Sequence, residues 1–357
     1  MKQFLLFFSL TLWIDMNATI RTVSNNPTNL AQYNTIQQAI DVSSNGDTVY
    51  VHGSPTAYAA CTIANKRLTI IGPGWSPDRP NFPFKASVSG MTITGDGSAK
   101  TEIQGLVFTN TVTIYNGTPD SIRIYRNQFK TSLSLTHNVG SYNGYIFQGN
   151  IFEGGAIIAS TSASYVNFLF QNNIFYESIA GNGNFYGFTN CQNVLLDHNL
   201  WYGPSGVAVN CFSGDCRNLL ITNNIFVRRN AATNNSFSTF NNNITHEAGV
   251  NNPWDLNGNI NNNNSNIEDN DPQMFDQAAV NSGINNPLLN FTISAGTANN
   301  GGSDGKDIGL LYDVSGALNW TNSRMSRIPM IYTMNITNPT IAPGGTLNVE
   351  VQARKNN

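Results

Sequence analysis

Few residues in this chain could do acid–base or metal chemistry, and most of them stand apart. Asp197 and Asp215 are two carboxylates in successive stretches of the chain, the kind of group that can act as acid, base or metal ligand. Arg217, Arg228 and Arg229 follow closely as the nearest basic groups. A second group, His246, Glu247, Trp254 and Asp255, sets an aromatic ring among ionisable neighbours. Asp304 and Asp307 lie in a Gly-rich turn with too few ligands in view for a calcium loop. Four histidines (His52, His137, His198, His246) and four cysteines are too scattered for a zinc site.

The elements that must position these groups repeat. Asn127, Asn150, Asn173, Asn199 and Asn224 recur at intervals of 23, 23, 26 and 25 residues, inside IRIYRNQF, YIFQGNIF, FLFQNNIF, VLLDHNLW and LLITNNIF. A fixed period of that size marks units that bury their apolar side only by stacking. Their β-branched and aromatic content, cut by Asn and Gly, predicts short strands joined by turns.

Counting back from each Asn, Ile122, Tyr145, Phe168, Val194 and Leu219 occupy position −5. Ile124, Phe147, Phe170, Leu196 and Ile221 occupy −3. Strand alternation sends both rows inward. Phe129, Phe152, Phe175, Trp201 and Phe226 make an aromatic column at +2. The asparagines sit where the coil bends, a place for left-handed backbone, and amides stacked ~4.8 Å apart can bond along the axis. They read as a structural ladder.

Two rows face outward. Position −2 carries Tyr125, Gln148, Gln171, Asp197 and Thr222, hydrogen-bonding groups suited to sugar hydroxyls. Position −4 carries Arg123 and then Ile146, Leu169, Leu195 and Leu220. Such an aliphatic stripe calls for a cover, from a loop or the C-terminal segment, or else for a partner protein or self-association.

These phrases resemble the repeat of the right-handed parallel β-helix (pectate-lyase-like) superfamily. Residues 33–74 are similar to its entry, with a short capping helix (Ile36, Ala39, Ile40), a strand at Thr48–Val51 and a second phrase at Lys66–Gly72. The segment GSDGKDIGLL (302–311) resembles the closing coil of secreted Bacteroidetes-type members of unassigned function. The resemblance implies an all-β, single-stranded right-handed solenoid over residues 19–312, with roughly nine to eleven coils. A strand pair or capping segment follows at 313–357.

The resemblance bears on chemistry too. The paired Asp, Gly-His-Gly and Arg-x-Lys phrases of polygalacturonase-like enzymes are missing. NVLLDHNLWYG (193–203) resembles the V-W-I-D-H-N motif of pectate lyases, which implies Asp197 and Asp215 as calcium ligands and Arg217, Arg228 or Arg229 as base. The Arg-x-Pro-x-x-Arg phrase of that family is absent. The function implied is an exported protein that binds, and in a lyase reading degrades, a polysaccharide. Gln148, Gln171 and the aromatics Tyr176, Tyr202 and Trp254, taken as exposed, would contact the sugar. The alternative is a non-catalytic surface or adhesive protein.

Composition narrows the partners. Charged residues make up 11% of the 357 and the formal net charge is −3, with no basic cluster, which speaks against nucleic acid. Residues 1–18 read as a secretory signal with cleavage near Ala18, and no later run is long enough to span a bilayer. Residues 230–272, dominated by Asn and Ser, read as a long solvated loop. Cys191 and Cys216 each stand eight residues before a ladder Asn. Stacking them about 5 Å apart admits either a disulfide or a packed thiol pair.

Overall fold

A computed structural model describes residues 18–76, 84–136, 139–177, 183–204, 209–311, 329–336 and 344–355. The proposed export signal lies, apart from Ala18, outside the described residues, as does His137. Among the described residues the chain winds into a parallel β-solenoid of about nine turns. No described helix is long and apolar enough to cross a membrane.

Each coil contributes a strand to up to three faces. The first face runs in order from Ile20–Val23 through Arg123–Tyr125, Ile146–Gln148, Ser164–Gln171, Cys191–Asp197 and Leu219–Thr222 to Ile260–Asn261. The second runs from Ser87–Val88 to Ile244–His246 and the third from Cys61–Ala64 to Phe212–Ser213. Register follows the repeat: Phe147 pairs with Ile124 below and Phe170 above, and Phe170 pairs with Leu196. The −5 and −3 rows are all buried. The aromatic column stacks with centroids 5.2, 4.8, 5.0, 4.1 and 5.8 Å apart from Phe108 to Phe226. The helix Ile36–Val42, closed by a Thr35–Gln38 capping box, buries Ile36, Ala39 and Ile40.

The asparagine ladder is continuous. In each step, one Asn donates both its backbone N–H and its Nδ2 to the Oδ1 of the next, at 2.9–3.3 Å from Asn127 to Asn224. Nδ2 also donates to a carbonyl of the coil before, such as Phe147 O for Asn173, at 2.9 Å. The left-handed residue is the one ahead of each ladder Asn: Arg126, Gly149, Asn172, His198, Asn223 and Asn242 have φ of 54, 68, 60, 52, 58 and 52°. That residue makes the corner and leaves the ladder Asn to turn its amide inward.

The Asn-rich tract is not one long loop. Asn224 continues to Asn243 and Asn243 to Asn266 by the same two bonds, so the tract supplies further rungs at Thr239–Asn241, Ile244–His246 and Ile260–Asn261. A shorter coil and a polar composition hid them.

Beyond Asn270 the chain leaves the solenoid. Residues 302–311 are not a closing coil but part of a strap over the second face. That face is apolar on its outside as well, at Ile174, Leu200, Ile225 and Ile244, and Met274, Val280, Phe291, Ile293, Ile308 and Leu310 pack on it in a second core. The strap is fastened at the corner residues. Asn172 Oδ1 accepts from Leu311 N at 2.6 Å, Asn223 Oδ1 from Ser303 N at 2.8 Å, and Asn242 Nδ2 donates to Gly301 O at 2.8 Å. Pro329–Ile336 and Val349–Lys355 form an antiparallel pair.

All four cysteines are free. The offset of 25 holds where Val194 pairs with Leu219, but Arg217 N–H donates to Phe188 O, so the segments carrying Cys191 and Cys216 part in register ahead of it. Burial pushes the thiols of Cys61, Cys211 and Cys216 up to about 12 and raises Cys191 as well.

Two outcomes follow. Asn173→Ala removes the shared acceptor of both Asn150 donors and one donor to the Phe147 carbonyl, and should cost on the order of 3–5 kcal/mol in denaturant unfolding, against under ~1 for exposed Asn193→Ala. Equal losses would show that the inner ladder is no more than decoration. Aromatic-disulfide labelling at pH 8 should find no reactive thiol in the native protein and four after unfolding. Because the folded pKa values are raised, the thiols' stabilising contribution is complete below about 9 and is lost as pH climbs towards 12. Rapid native labelling would contradict this burial.

Candidate functional site

The outward side of the first face is the surface on which strand geometry gathers exposed side chains. Strand alternation and the ladder register place one residue of each row on every coil, ~4.8 Å apart. Ile146 pairs with Leu169, Leu169 with Leu195 and Leu195 with Leu220, giving an unbroken aliphatic row. Its first three members are half-buried and Leu220 is 38% exposed. The strap covers the second face and does not supply the cover expected here.

The −2 row, roughly 7 Å away along the strands, is a hydrogen-bonded line. Gln148 Nε2 donates to Gln171 Oε1 and Gln171 Nε2 to Asp197 Oδ2, both at 2.9 Å. Thr222 Oγ1 and Asn223 Nδ2 donate to Asp197 Oδ1 at 2.8 and 3.0 Å. On the other side of the aliphatic row lies a second amide ladder that the sequence reading missed. Asn193 Nδ2 donates to Asn167 Oδ1 at 2.8 Å, and Asn167 Nδ2 to Asn143 Oδ1 at 3.0 Å. Asn167 and Asn193 are left-handed, as corner residues must be. Their recurrence two and six residues ahead of the −4 and ladder positions was the available signal.

The acid–base candidates do not converge. Asp215 is exposed and accepts from Arg217 Nε at 2.9 Å. It lies across the left-handed bend at Asn218 from Thr222, which pairs with Asp197. Arg228 and Arg229 are buried rather than poised as bases. Arg228 donates to the carbonyls of Pro204, Gly203 and Val280 and pairs with Glu247 at 3.0 Å, which ties the strap to the solenoid. Arg229 donates to Asn184 Oδ1 at 2.7 Å and Asn210 O at 2.8 Å, with its guanidinium 5.9 Å from the Trp201 ring centre. Burial lowers its pKa, but its side chain is fully buried and its two terminal nitrogens donate to protein acceptors, so it does not face a ligand.

The residues also do not fit calcium. The ion needs six to eight oxygens, whereas three side-chain donors already point at the Asp197 carboxylate. Among the described residues no group of three or more His, Cys, Asp or Glu gathers to hold a metal. Asp304 and Asp307 are spent in their own turn, on Lys306 at 3.3 Å and on Asn300 N at 2.9 Å. Burial works to raise the Asp304 pKa, but the Lys306 N–H, His198 and the Lys306 side chain outweigh it and hold it low. His198 sits beneath, Nδ1 3.0 Å from Gly309 O and Nε2 3.5 Å from Asp304.

Tyr176, Tyr202 and Trp254 are buried, not exposed. Tyr176 Oη donates to Gly283 O at 3.3 Å and Tyr202 packs on Phe291, both under the strap. Trp254 closes the top of the core against Phe226 and Phe240. Only Gln148 and Gln171, of the residues expected to contact sugar, remain on an accessible face.

No family model matches this chain, and no curated protein is similar to it in sequence. Among solved structures it is similar to a mutant of AlyGC, a PL6 family alginate lyase, at 12% identity over 64% of this chain, with a TM-score of 0.29. The chain spans 35% of that protein's length. At that score the two superpose poorly, and the site must be read from its own residues.

Millimolar calcium should leave the melting temperature unchanged within about 1 °C, in the native chain and in Asp197→Asn alike. A rise of several degrees that disappears in Asp197→Asn would restore a metal site.

Proposed function

We propose that this chain is an exported β-helix that binds a polysaccharide along its first face without cleaving it through Asp197. The supporting observation is the open aliphatic row, Ile146 to Leu220, between two rows of hydrogen-bonding side chains. A pyranose ring is apolar on its C–H face and polar around its rim, so an apolar strip edged by amides matches it on both counts. The side chains are pre-organised by bonds to one another, which lowers the ordering cost of binding. The export reading rests on residues 1–18.

The test is affinity electrophoresis against a panel of soluble uronate and neutral polysaccharides, with product absorbance and reducing ends followed in parallel. We expect retardation by at least one polymer and no product release. Leu169→Asp should weaken retardation at least about tenfold by charging the strip, while Tyr186→Ala on the third face should not. Retardation lost in Tyr186→Ala but kept in Leu169→Asp would move the site elsewhere.

A further inference from the structure

We infer that the ligand of the first face is an uncharged, extended polysaccharide lying along the solenoid axis; this rests on the proposed binding role of that face. Direction comes from the rows. The aliphatic row, the glutamine line and the outer asparagine ladder each repeat once per coil. An extended polymer laid along the axis therefore follows the aliphatic row with a hydrogen-bonding row on either side, Gln148, Gln171, Asp197 and Thr222 on one and Asn143, Asn167 and Asn193 on the other, whereas one laid across it meets each row once.

The absence of spare charge selects the class. Over the four coils from Ile146 to Leu220 the ionisable side chain of the two outward rows is Asp197, and its oxygens already accept from Gln171, Thr222 and Asn223. Two cations border the strip, each with a carboxylate beside it. Arg123, at its lower end, stands opposite Glu102 in register, and Lys306 pairs with Asp304 at 3.3 Å. A uronate or sulfated chain would therefore set its anions against leucine side chains and beside the Asp197 carboxylate. Both placements are unfavourable, since a desolvated charge needs a partner and like charges repel. Hydroxyls and acetamido groups face no such cost, because glutamine and asparagine amides offer both donors and acceptors.

The experiment compares neutral polymers (glucan, mannan, xylan) with polyuronate and sulfated ones, by affinity electrophoresis and calorimetry from roughly 50 to 500 mM salt. The expected result is binding to a neutral polymer with little salt dependence. Binding confined to the acidic polymers, weakening steeply with salt and lost in Leu169→Asp, would overturn the inference while leaving the face as the binding surface. No binding to any polymer would overturn both. Leu220→Lys, at the most exposed position of the row, adds the missing cation with little risk to folding. It should create salt-sensitive binding to the acidic polymers, at least about tenfold above the native chain. An acidic-polymer affinity unchanged in that variant, with its melting temperature intact, would also count against the inference.

Discussion

Everything in this molecule hangs on one carboxamide bond pattern, repeated along the axis. Each ladder asparagine accepts two hydrogen bonds on a single oxygen and returns its own N–H groups to the neighbouring coils. An amide can do this because it carries donors and an acceptor on one rigid plane. Inside an apolar core an unpaired group costs far more than a bond returns. A slip of one residue between coils would orphan several groups at once, so the ladder fixes register before any packing preference is consulted. The aromatic column, the inward rows and the striped outer face are consequences of that register.

The sequence carried this much plainly because the constraint acts on residue type. Only Asn fits the ladder, so the period, the inward rows and the Gln–Gln–Asp line could be read directly. The strap was harder. Its signal was the residue after each ladder Asn, where Ile151, Ile174, Leu200, Ile225 and Ile244 make the second face apolar on both sides. A strand apolar on both faces needs two covers, and the adjacent −4 stripe drew attention to the wrong one. The last coils were obscured because a polar tract can be interior when its amides bond to one another. Tyr176, Tyr202 and Arg228 could not be placed without knowing where the strap lay, since Gly283, Phe291 and Val280 of the strap pack on them, whereas Arg229 is buried within the solenoid against Trp201 and Asn184.

Charge in this protein is used mainly for fastening. Arg228 joins two coils to the strap, Asp197 collects three donors from its neighbours, and Asp304 holds its own turn. A group fully engaged in this way is a poor acid, base or metal ligand, because its lone pairs or protons are already committed. Along the four coils from Ile146 to Leu220 the two outward rows are otherwise amide, hydroxyl and aliphatic.

The coils also differ in length: successive ladder asparagines are 23, 23, 26, 25, 19 and 23 residues apart. The ladder and its flanking phrase keep their spacing, so the variation falls on the chain that runs from the second face through the third to the next coil, as between Tyr176 and Phe185 or Tyr202 and Phe212. Those connections are where evolution, or an engineer, can graft foreign peptide. Loop entropy rises only slowly with length, so inserts there should be displayed at intervals of one coil without disturbing the recognition stripe.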